Sequence, residues 1–543
     1  MDSATTLTAM FEAASARFAA SPCLEFLGAG WTYAQTASLV ARARAGLVAA
    51  GVRRGDRVGL CLPNLPQTVI AYYAVLGVGA VVVNFSPLSP AGDLVSQARD
   101  AGVGVMITSN LTPMLDHVLE ALNRQAFCTV VVCDFADALP WPKRLGFRLL
   151  KRRLLGKVPV GDARVIGWSR LLRSQPMPAV AVAAEDLAVL QYTGGTTGSP
   201  KGVMLTHANL TVNASQLRAL MPQAQPGRER VLVVLPLFHV FAMTVGMNVG
   251  LGWGAELVLL PRFDIDMLRA ALHRRRPTIV PGVPTLYKAM LDKGLTQADL
   301  TSVHVCISGG APLPHEVQRA FEAAAGCHLV EGYGLTEASP VVFCNPIGRV
   351  GRNGTIGMTL PGVEAEIHSL EEPSRVMPCG ERGELWVRGA NVMRGYWNRP
   401  EETAATLTPD GWLRTGDVGI MDGDGYVELV DRIKDLILCS GFNVYPRRIE
   451  EALYQHPDVT AAIAVGEPDS YRGESVAAFV QLAPQAKASV AELRDFLRDR
   501  LTSIEMPRRI ELRAELPRTA VGKLSRKELR AELLAAARAE PSA

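Results

Sequence analysis

Tyr192-Thr-Gly-Gly-Thr-Thr-Gly-Ser-Pro-Lys-Gly202 is the stretch that decides both the fold and the expected chemistry. It follows an apolar run at 187–190, which predicts a buried strand that leads into a loop. Glycines let backbone N–H groups turn toward an anion, and the hydroxyls and Lys201 add donors and a positive charge. The stretch is not a Walker A loop, because a serine and a proline separate its third glycine from Lys201. We therefore predict a loop that holds a polyphosphate, in preference to a flexible surface turn.

The composition is that of a globular protein with more than one domain. The chain has 543 residues, which exceeds what one hydrophobic core usually serves, and 48% of them are hydrophobic. A net charge of only +3 gives no field for nucleic acid, so no nucleic-acid partner is expected. The cysteines form no C-x-x-C pair and fit a reduced, cytoplasmic protein. We expect no signal peptide, and we interpret the apolar run at 69–83 as a helix that leads into a strand.

The order of apolar runs predicts an α/β fold. Helical stretches alternate with short apolar runs, as in layered, mostly parallel α/β subdomains. From residue 383 short strands predict a small β-rich subdomain, and after residue 431 the pattern becomes a compact α+β domain. We therefore predict an N-terminal domain at 1–431 and a C-terminal domain at 432–543. The runs that predict strands lie at 58–62, 80–83, 103–107, 231–236, 256–260, 279–283, 303–308, 384–388, 425–430, 459–465 and 476–482, and a helix is predicted at 490–501.

The segment 141–159 is unusual in charge and hydropathy. It contains seven Lys or Arg residues and no acidic residue, interspersed with leucines and one phenylalanine. A short basic amphipathic helix on an anionic membrane surface has this composition. A basic insertion packed on the body of the protein is the equal alternative.

Five further stretches carry polar or flexible residues that suit a nucleotide site. Each is weak alone, since a single Gly-Asp pair or a terminal Gly-Lys pair is usually a turn or a loop. Small residues after a strand let a flat ligand approach the backbone closely, and a carboxylate at a turn suits two neighbouring sugar hydroxyls. The stretches are Ser308-Gly-Gly-Ala-Pro312, Glu331-Gly-Tyr-Gly-Leu-Thr-Glu337, Thr415-Gly-Asp417, Asp431-Arg-Ile-Lys-Asp435 with Ser440-Gly-Phe-Asn-Val-Tyr-Pro446, and Pro517-Arg-Thr-Ala-Val-Gly-Lys523.

In this order, these motifs resemble those of the adenylate-forming superfamily of acyl-CoA synthetases, luciferases and peptide-synthetase adenylation domains. Within it, the chain is most similar to bacterial long-chain fatty acid–CoA ligases. That narrower resemblance depends on Leu235-Pro-Leu-Phe-His-Val-Phe241, Gly332-Tyr-Gly-Leu-Thr-Glu-Ala-Ser-Pro340, and Asp431-Arg-Ile-Lys-Asp435 with Gly441-Phe-Asn-Val-Tyr-Pro446. The resemblance covers nearly the whole chain, and neither the segment 141–159 nor the first twenty residues are part of these motifs.

The resemblance implies a two-step reaction. A fatty acid carboxylate attacks the α-phosphorus of Mg-ATP, which gives acyl-AMP and pyrophosphate. The thiol of coenzyme A then attacks the acyl carbon and expels AMP. The resemblance also implies that the C-terminal domain is mobile and rotates between the two steps.

The resemblance further implies roles for individual residues. ATP binding falls to Thr193, Gly194, Gly195, Thr196, Thr197, Gly198, Lys201, Gly309, Gly310, Ala311, Tyr333, Gly334, Asp417 and Arg432, with Tyr333 against the adenine and Asp417 at the ribose hydroxyls. The implied catalytic residues are Lys523 between the carboxylate and the α-phosphate, Thr336 at an α-phosphate oxygen, Glu337 on Mg²⁺, Lys434 at the hinge, and His239 as a gate. Coenzyme A binding is implied for Ser440, Gly441 and Phe442, and the acyl pocket for His239, Met243, Val245 and Gly246.

Alternatives remain open at the level of sequence. A fatty acyl-AMP ligase, or a ligase for short-chain or aryl acids, would share most of these motifs, although the stretch 440–446 favours coenzyme A as the acceptor. A catalytically silent lipid-binding protein on the same fold is a second class, and a P-loop kinase ranks last because the Walker A loop is absent. A peripheral contact with the inner face of the membrane and a homodimer are hypotheses.

Overall fold

The computed structural model describes residues 6–193, 200–348, 351–469, 471–519 and 524–539. Of residues 536–539 it describes the backbone only. The first third of the chain forms α1 (Leu7–Arg17), β1 (Pro22–Phe26), β2 (Ala29–Thr32), α2 (Tyr33–Ala49), β3 (Arg57–Cys61), α3 (Pro66–Val78), β4 (Val81–Asn84), α4 (Ala91–Ala101), β5 (Val103–Ser109), α5 (Met114–Asn123), β6 (Thr129–Cys133), a 3₁₀ turn (Phe135–Ala138), α6 (Trp141–Leu150), a second 3₁₀ turn (Arg152–Leu154), β7 (Val165–Gly167), α7 (Trp168–Leu171) and β8 (Leu187–Thr193).

The middle of the chain continues the alternation of strands and helices. It forms β9 (Lys201–Thr206), α8 (His207–Ala219), β10 (Arg230–Val233), a π-helix (Ala242–Asn248), α9 (Val249–Gly252), β11 (Glu256–Leu259), α10 (Ile265–Arg275), β12 (Ile279–Gly282), α11 (Pro284–Asp292), α12 (Gln297–Leu300), β13 (Val305–Gly309), α13 (His315–Ala325), β14 (Leu329–Gly334), a 3₁₀ turn (Thr336–Ala338) and β15 (Val341–Cys344).

The last third is richer in strands. It forms β16 (Met358–Thr359), β17 (Val363–His368), β18 (Arg382–Gly389), β19 (Gly395–Tyr396), α14 (Pro400–Thr406), β20 (Leu413–Met421), β21 (Val427–Arg432), a 3₁₀ turn (Ile433–Asp435), β22 (Ile437–Cys439), β23 (Phe442–Val444), α15 (Pro446–Tyr454), β24 (Val459–Asp469), β25 (Gly473–Leu482), α16 (Val490–Arg498), β26 (Arg509–Leu512) and α17 (Arg526–Ala539).

Two large, mostly parallel sheets form the body of the protein, which confirms the predicted fold class. The first has nine strands in the order β16-β15-β14-β13-β12-β10-β11-β1-β2, and the second has eight in the order β19-β9-β8-β4-β3-β5-β6-β7. In both sheets the antiparallel pairs lie toward the ends, while the central pairs are parallel. The strands predicted from apolar runs in this part form within a few residues of their expected bounds.

Helix α3 explains the longest apolar run of the sequence. All of its residues are buried, and they share one hydrophobic core with Val82 of the eight-stranded sheet and Val231 of the nine-stranded sheet. A helix covered by sheets on more than one side needs no polar face. It begins at Pro66, is capped by Gly79 at φ 76°, and leads directly into β4, as predicted. Among the described residues, no helix is long and apolar enough to cross a membrane.

Two smaller sheets follow the body. The β-rich subdomain is an antiparallel sheet of order β17-β18-β20-β21, and the small C-terminal domain carries the order β23-β22-β25-β24, with β26 parallel to β25. Helices α15, α16 and α17 pack on the C-terminal sheet through two small apolar clusters. The predicted helix at 490–501 ends at Arg498, and its start is fixed by a capping box between Ser489 and Glu492.

Candidate functional site

The carboxyl ends of β13 and β14 bring two of the predicted glycine motifs together. These strands are parallel neighbours, with Gly309 opposite Gly332. A Cβ atom at Gly309 would lie 2.9 Å from the ring of Phe241, and one at Gly334 would lie 1.9 Å from the carbonyl oxygen of Pro340. Both positions therefore need glycine because other parts of the chain pass so close. Gly310, at φ 80°, and the half-buried Ala311 continue the same edge, where ligands of α/β sheets bind.

Asp417 is the centre of a hydrogen-bonded group beside this edge. Its side chain is buried, its Oδ2 accepts a 2.5 Å hydrogen bond from the hydroxyl of Tyr333, and its Oδ1 lies 2.9 Å from Nε of Arg432. Burial and then the charge of Asp417 raise the pKa of Tyr333 well above its ordinary value, so the hydroxyl stays a donor. The same carboxylate is the largest cause of the raised pKa of Arg432.

The expectation that Asp417 lies at a turn is wrong. It lies inside the nine-residue strand β20, directly opposite Arg432 of β21. A local irregularity creates the turn-like sequence: Gly416 has φ 71°, and Thr415 accepts a hydrogen bond from the backbone N–H of Asp417 at 3.1 Å. The strand places the carboxylate more rigidly than a turn would.

A second group joins Glu337 to Lys201 through Tyr396. The hydroxyl of Tyr396 donates to Oε1 of Glu337 at 2.8 Å, and Nζ of Lys201 lies 5.1 Å from the centre of the Tyr396 ring. Burial and the charge of Glu337 raise the pKa of Tyr396. Thr336 begins the 3₁₀ turn that presents Glu337. Sequence reasoning missed Tyr396, since its two-residue strand pairs with β9, far away in the chain.

The predicted phosphate loop is described only at its two ends. Thr193 closes β8 and Lys201 opens β9, and the two residues are opposite each other in an antiparallel pair. The predicted residues Gly194, Gly195, Thr196, Thr197 and Gly198 lie outside the described residues, as does Lys523.

His239 lies just before a buried π-helix, near the strand edge at Gly309. Its Nδ1 accepts a 3.3 Å hydrogen bond from the backbone N–H of Phe241, whose ring packs against Gly309. The following residues 242–248 form the π-helix, a rare conformation that is frequent at functional sites. Met243 and Val245 are buried there.

Gly246 is buried, but its surroundings would accept a small side chain. A Cβ atom at this position would meet only Val233, at an ordinary 3.8 Å. The π-helix is held by polar contacts that sequence reasoning did not foresee, among them the bond of 2.9 Å from Thr244 Oγ1 to the carbonyl oxygen of Ser339. Nδ2 of Asn84 contributes a further bond, to Sδ of Met243 at 3.4 Å.

The turn that carries Lys434 is clamped by helix α17. Asp435 is buried, and its two carboxylate oxygens lie 3.4 Å from Arg526 and 3.2 Å from Arg530. Arg530 also donates to the carbonyl oxygen of Lys434 at 3.1 Å. Displacement of water by protein atoms lowers the pKa of Lys434, and the charge of Arg432 acts in the same direction.

The stretch predicted to bind coenzyme A forms the tip of a short hairpin. Ser440 and Gly441 connect β22 to β23 with φ values of 52° and 82°, the signs of a type I′ turn. Phe442 follows and is 64% exposed. No atom lies within 4 Å of a Cβ built at Gly441, so the described part of the chain leaves this tip open.

Glu331 is a buried carboxyl whose role the sequence did not reveal. Burial raises its pKa to about 7, while Arg447 of α15 and a 3.2 Å hydrogen bond from the backbone N–H of Leu313 lower it. Arg447 is itself buried and donates to the carbonyl oxygen of Leu429 at 2.9 Å. The body and the C-terminal helix α15 therefore meet through opposite charges.

Comparison with known proteins shows which family this chain belongs to. Residues 11–397 match the family described as AMP-binding enzyme, and residues 448–523 match the AMP-binding enzyme C-terminal domain. The chain is 41% identical over 529 residues to a long-chain-fatty-acid–CoA ligase of Bacillus subtilis, covering 96% of this chain and 94% of that one. It is 39% identical over 541 residues to a ligase of the same name from Salmonella typhimurium, with 97% and 94% covered.

Solved structures agree with the match in sequence. ATP-bound MatB from Rhodopseudomonas palustris superimposes with a TM-score of 0.84 at 28% identity, covering 97% of this chain and 99% of that one. A benzoate CoA ligase from Burkholderia xenovorans gives the same TM-score at 27% identity, with 97% and 99% covered. The body, the β-rich subdomain and the C-terminal domain are all included in these matches, and the chain belongs to the AMP-binding enzyme family.

Proposed function

We propose that the protein is a long-chain fatty acid–CoA ligase that works through an acyl-AMP intermediate. ATP and the fatty acid give acyl-AMP and pyrophosphate, and coenzyme A then replaces AMP on the acyl carbon. The observation that carries the proposal is the buried Asp417 with Tyr333 and Arg432, at the strand edge of a chain whose full-length relatives carry this name.

The nucleotide would bind with its adenine against Tyr333 and its ribose at Asp417. Stacking of a base on an aromatic ring contributes about 1–3 kcal/mol. Oδ2 of Asp417 already accepts a hydrogen bond from Tyr333, and Oδ1 forms an ion pair with Arg432. A carboxylate has roughly four lone-pair sites, so two ribose hydroxyls still find acceptors there. The small residues Gly309, Gly310 and Ala311 leave room for the other face of the base.

The β- and γ-phosphates would lie between the ends of β8 and β9 and the turn at Glu337. Lys201 provides the positive charge, and we propose that the loop residues Thr193, Thr196 and Thr197 add donors. Mg²⁺ suits this place because it prefers one or two carboxylates together with substrate phosphates. Glu337 supplies such a carboxylate, oriented by Tyr396. Bound there, the ion would neutralise phosphate charge, and Thr336 would donate to an α-phosphate oxygen.

In the first step two anions, the fatty acid carboxylate and the α-phosphate, must come together. We propose that Lys523 offsets their repulsion. A fixed cation between the carboxylate and the α-phosphate offsets their repulsion as they approach. Lys523 precedes α17, whose Arg526 and Arg530 hold the turn at Lys434. We therefore propose a mobile domain at 432–543 on a body at 1–431, with Lys434 at the hinge.

The acceptor of the acyl group in this proposal is coenzyme A. The open tip at Ser440 and Gly441 suits a loop that closes over a thin pantetheine chain, with the exposed Phe442 beside it. The acyl chain would pass His239 and enter the space before Gly246, with Met243 and Val245 in the wall. An apolar wall of this kind selects the length of an acyl chain by fit.

The test measures AMP and acyl-CoA formed from ATP, coenzyme A and a series of acids from acetate to oleate, with benzoate and ferulate included. Highest turnover on long-chain acids supports the proposal. Highest turnover on ferulate would favour an aryl acid ligase, which matters because a relative at 36% identity is named feruloyl-CoA synthase. Adenylate without thioester would replace the proposal with an acyl-AMP ligase.

A further inference from the structure

Asp100 of α4, which none of the motifs includes, contacts two distant parts of the chain. Its Oδ2 accepts a 2.5 Å hydrogen bond from the hydroxyl of Tyr192, and its Oδ1 lies 3.1 Å from Nη2 of Arg399. Its backbone carbonyl oxygen accepts a 3.1 Å bond from the indole Nε1 of Trp397. One residue therefore joins α4 both to the end of β8 and to the chain that follows β19.

Helix stability does not explain an aspartate at this position. Asp100 lies in the last turn of α4, one residue before the helix ends at Ala101. The carboxyl end of a helix carries partial negative charge, which favours cations and disfavours a carboxylate. The side chain is also only 25% exposed, so it is partly removed from water. The carboxylate is therefore stabilised by its contacts outside its own helix.

Tyr192 begins the stretch that is predicted to hold a polyphosphate. It lies opposite Gly202 in the antiparallel pair of β8 and β9, and the next pair inward is Thr193 with Lys201. Burial, and then the hydrogen bond to Asp100, raise the pKa of Tyr192 above its ordinary value, so its hydroxyl remains a donor. Asp100 thus holds one end of this stretch directly.

The other end of the stretch, at Gly202, is held through Trp397. The backbone N–H of Trp397 donates to the carbonyl oxygen of Gly202 at 2.7 Å. A Cβ atom at Gly202 would lie 3.1 Å from the ring of Tyr192 and 3.3 Å from Cβ of Trp397, so glycine lets both side chains pack close to the backbone. Because the indole of Trp397 donates to Asp100, the same residue supports this end as well.

The chain at Trp397 also leads to the proposed metal carboxylate. The preceding residue, Tyr396, lies opposite Val203 of β9, and its hydroxyl donates to Oε1 of Glu337 at 2.8 Å. The chain that orients Glu337 is therefore continuous with the chain that Asp100 holds.

We propose that Asp100 is a positioning residue for ATP, an inference that rests on the proposed function. It holds Tyr192 directly and the chain at Gly202 through its neighbour. The next residues inward, Thr193 and Lys201, are thereby kept where they would meet the β- and γ-phosphates. A small misplacement of binding groups can lower a rate about a hundredfold. AMP and acyl-AMP lack these two phosphates, so their binding should not depend on Asp100.

Comparison of ATP binding with AMP binding tests the proposal on the full chain. Asp100→Asn removes the charge that pairs with Arg399 and accepts from Tyr192. It should weaken ATP binding roughly tenfold, while the Kd for AMP stays unchanged. Pyrophosphate release from ATP and fatty acid should fall with ATP binding, whereas thioester formation from supplied acyl-AMP should be that of the wild type.

A second variant and a control separate this role from folding. Tyr192→Phe removes the hydroxyl that donates to Asp100, keeps the ring beside Gly202, and should cause the same selective loss of ATP binding. Because both changes break one contact, the loss in D100N/Y192F should be smaller than the product of the two single losses. Asp93→Asn removes an exposed aspartate from the first turn of the same helix and should bind ATP normally.

Three results would overturn the proposal. The first is wild-type ATP binding by both Asp100→Asn and Tyr192→Phe. The second is an equal loss of ATP and AMP binding with a lower melting temperature, which would assign Asp100 to folding alone. The third is a double variant whose loss equals the product of the single losses. Failure of the proposed function is distinct, because the wild type itself would then release no pyrophosphate with any acid, and the comparison of ATP with AMP binding would still decide the role of Asp100.

Discussion

The strand edge of the body and the C-terminal domain build their parts of the site by different means. At the edge, the ring of Phe241 lies too close to Gly309 for a side chain there, and the backbone of Pro340 excludes one at Gly334; Asp417 is fixed inside a strand. In the C-terminal domain, a Cβ atom at Gly441 would meet no atom of the described residues within 4 Å apart from its chain neighbours, and the turn at Lys434 is held by ion pairs. The comparison supports our proposal that the body provides a rigid nucleotide site, while the small domain provides groups that move.

The largest expected effect is that of Lys523→Ala. If Lys523 carries charge into the rigid site, its loss should lower pyrophosphate release from ATP and fatty acid by about 10²–10³-fold, as for other transition-state donors. Thioester formation from supplied acyl-AMP should survive. Lys527→Ala, on the exposed side of α17, is the matched control. Unchanged pyrophosphate release by Lys523→Ala would remove the proposed role.

Gly334→Ala tests the rigidity of the strand edge. The added Cβ would lie 1.9 Å from the carbonyl oxygen of Pro340, so backbone must shift. We expect a loss of about 2–4 kcal/mol of stability, at the upper end for overpacked sites, together with weaker adenylation. Thermal unfolding and pyrophosphate release measure the two effects. Gly104→Ala, where a Cβ meets open space, is the control, and equal melting temperatures of the two variants would contradict the account.

Asp417→Asn should weaken ATP use without unfolding the protein. The amide keeps the shape but loses the charge that pairs with Arg432 and accepts from Tyr333. Hydrogen bonds to charged groups contribute about 1.5–3 kcal/mol, so kcat/KM for ATP should fall roughly 10- to 100-fold. The exposed Asp424→Asn provides the comparison. If the KM for coenzyme A changed and the kinetics with ATP did not, the proposed role of Asp417 in ATP binding would be contradicted.

Glu331→Gln should reveal a pH-dependent contribution to stability where α15 meets the body. The folded pKa of Glu331 is raised to about 7 from an ordinary 4.5, so its contribution is present below about 4.5 and is lost as pH rises through 7. The stability advantage of the wild type over the variant should shrink by up to about 3 kcal/mol across that range. Melting curves from pH 5 to about pH 8 measure it. A constant difference would show that Glu331 does not titrate there.

The sequence alone was sufficient to predict those helices and strands that depend on a local pattern of apolar residues. Apolar runs predicted β3, β11, β12 and most of the other strands, and the apolar stretch at 69–83 was correctly interpreted as α3 leading into β4. These elements are determined by periodicity and burial, which neighbouring residues reveal.

Contacts between distant residues could not be predicted in the same way. Tyr396 reaches Glu337 through a two-residue strand, and Arg447 meets Glu331 across two regions of the chain. Asp417 was expected at a turn because Thr-Gly-Asp is a turn sequence, but pairing with β21 keeps it in a strand. The π-helix depends on surrounding contacts such as the one between Thr244 and Ser339, which no local pattern contains.

The most direct test of separate roles for the body and the C-terminal domain is thioester formation by Gly441→Leu from supplied acyl-AMP and coenzyme A. A leucine at φ 82° is strained and would obstruct the open tip, while it leaves the strand edge untouched. The account predicts that this variant releases pyrophosphate as the wild type does but forms almost no acyl-CoA. Parallel loss of both half-reactions, or normal thioester formation, would contradict it.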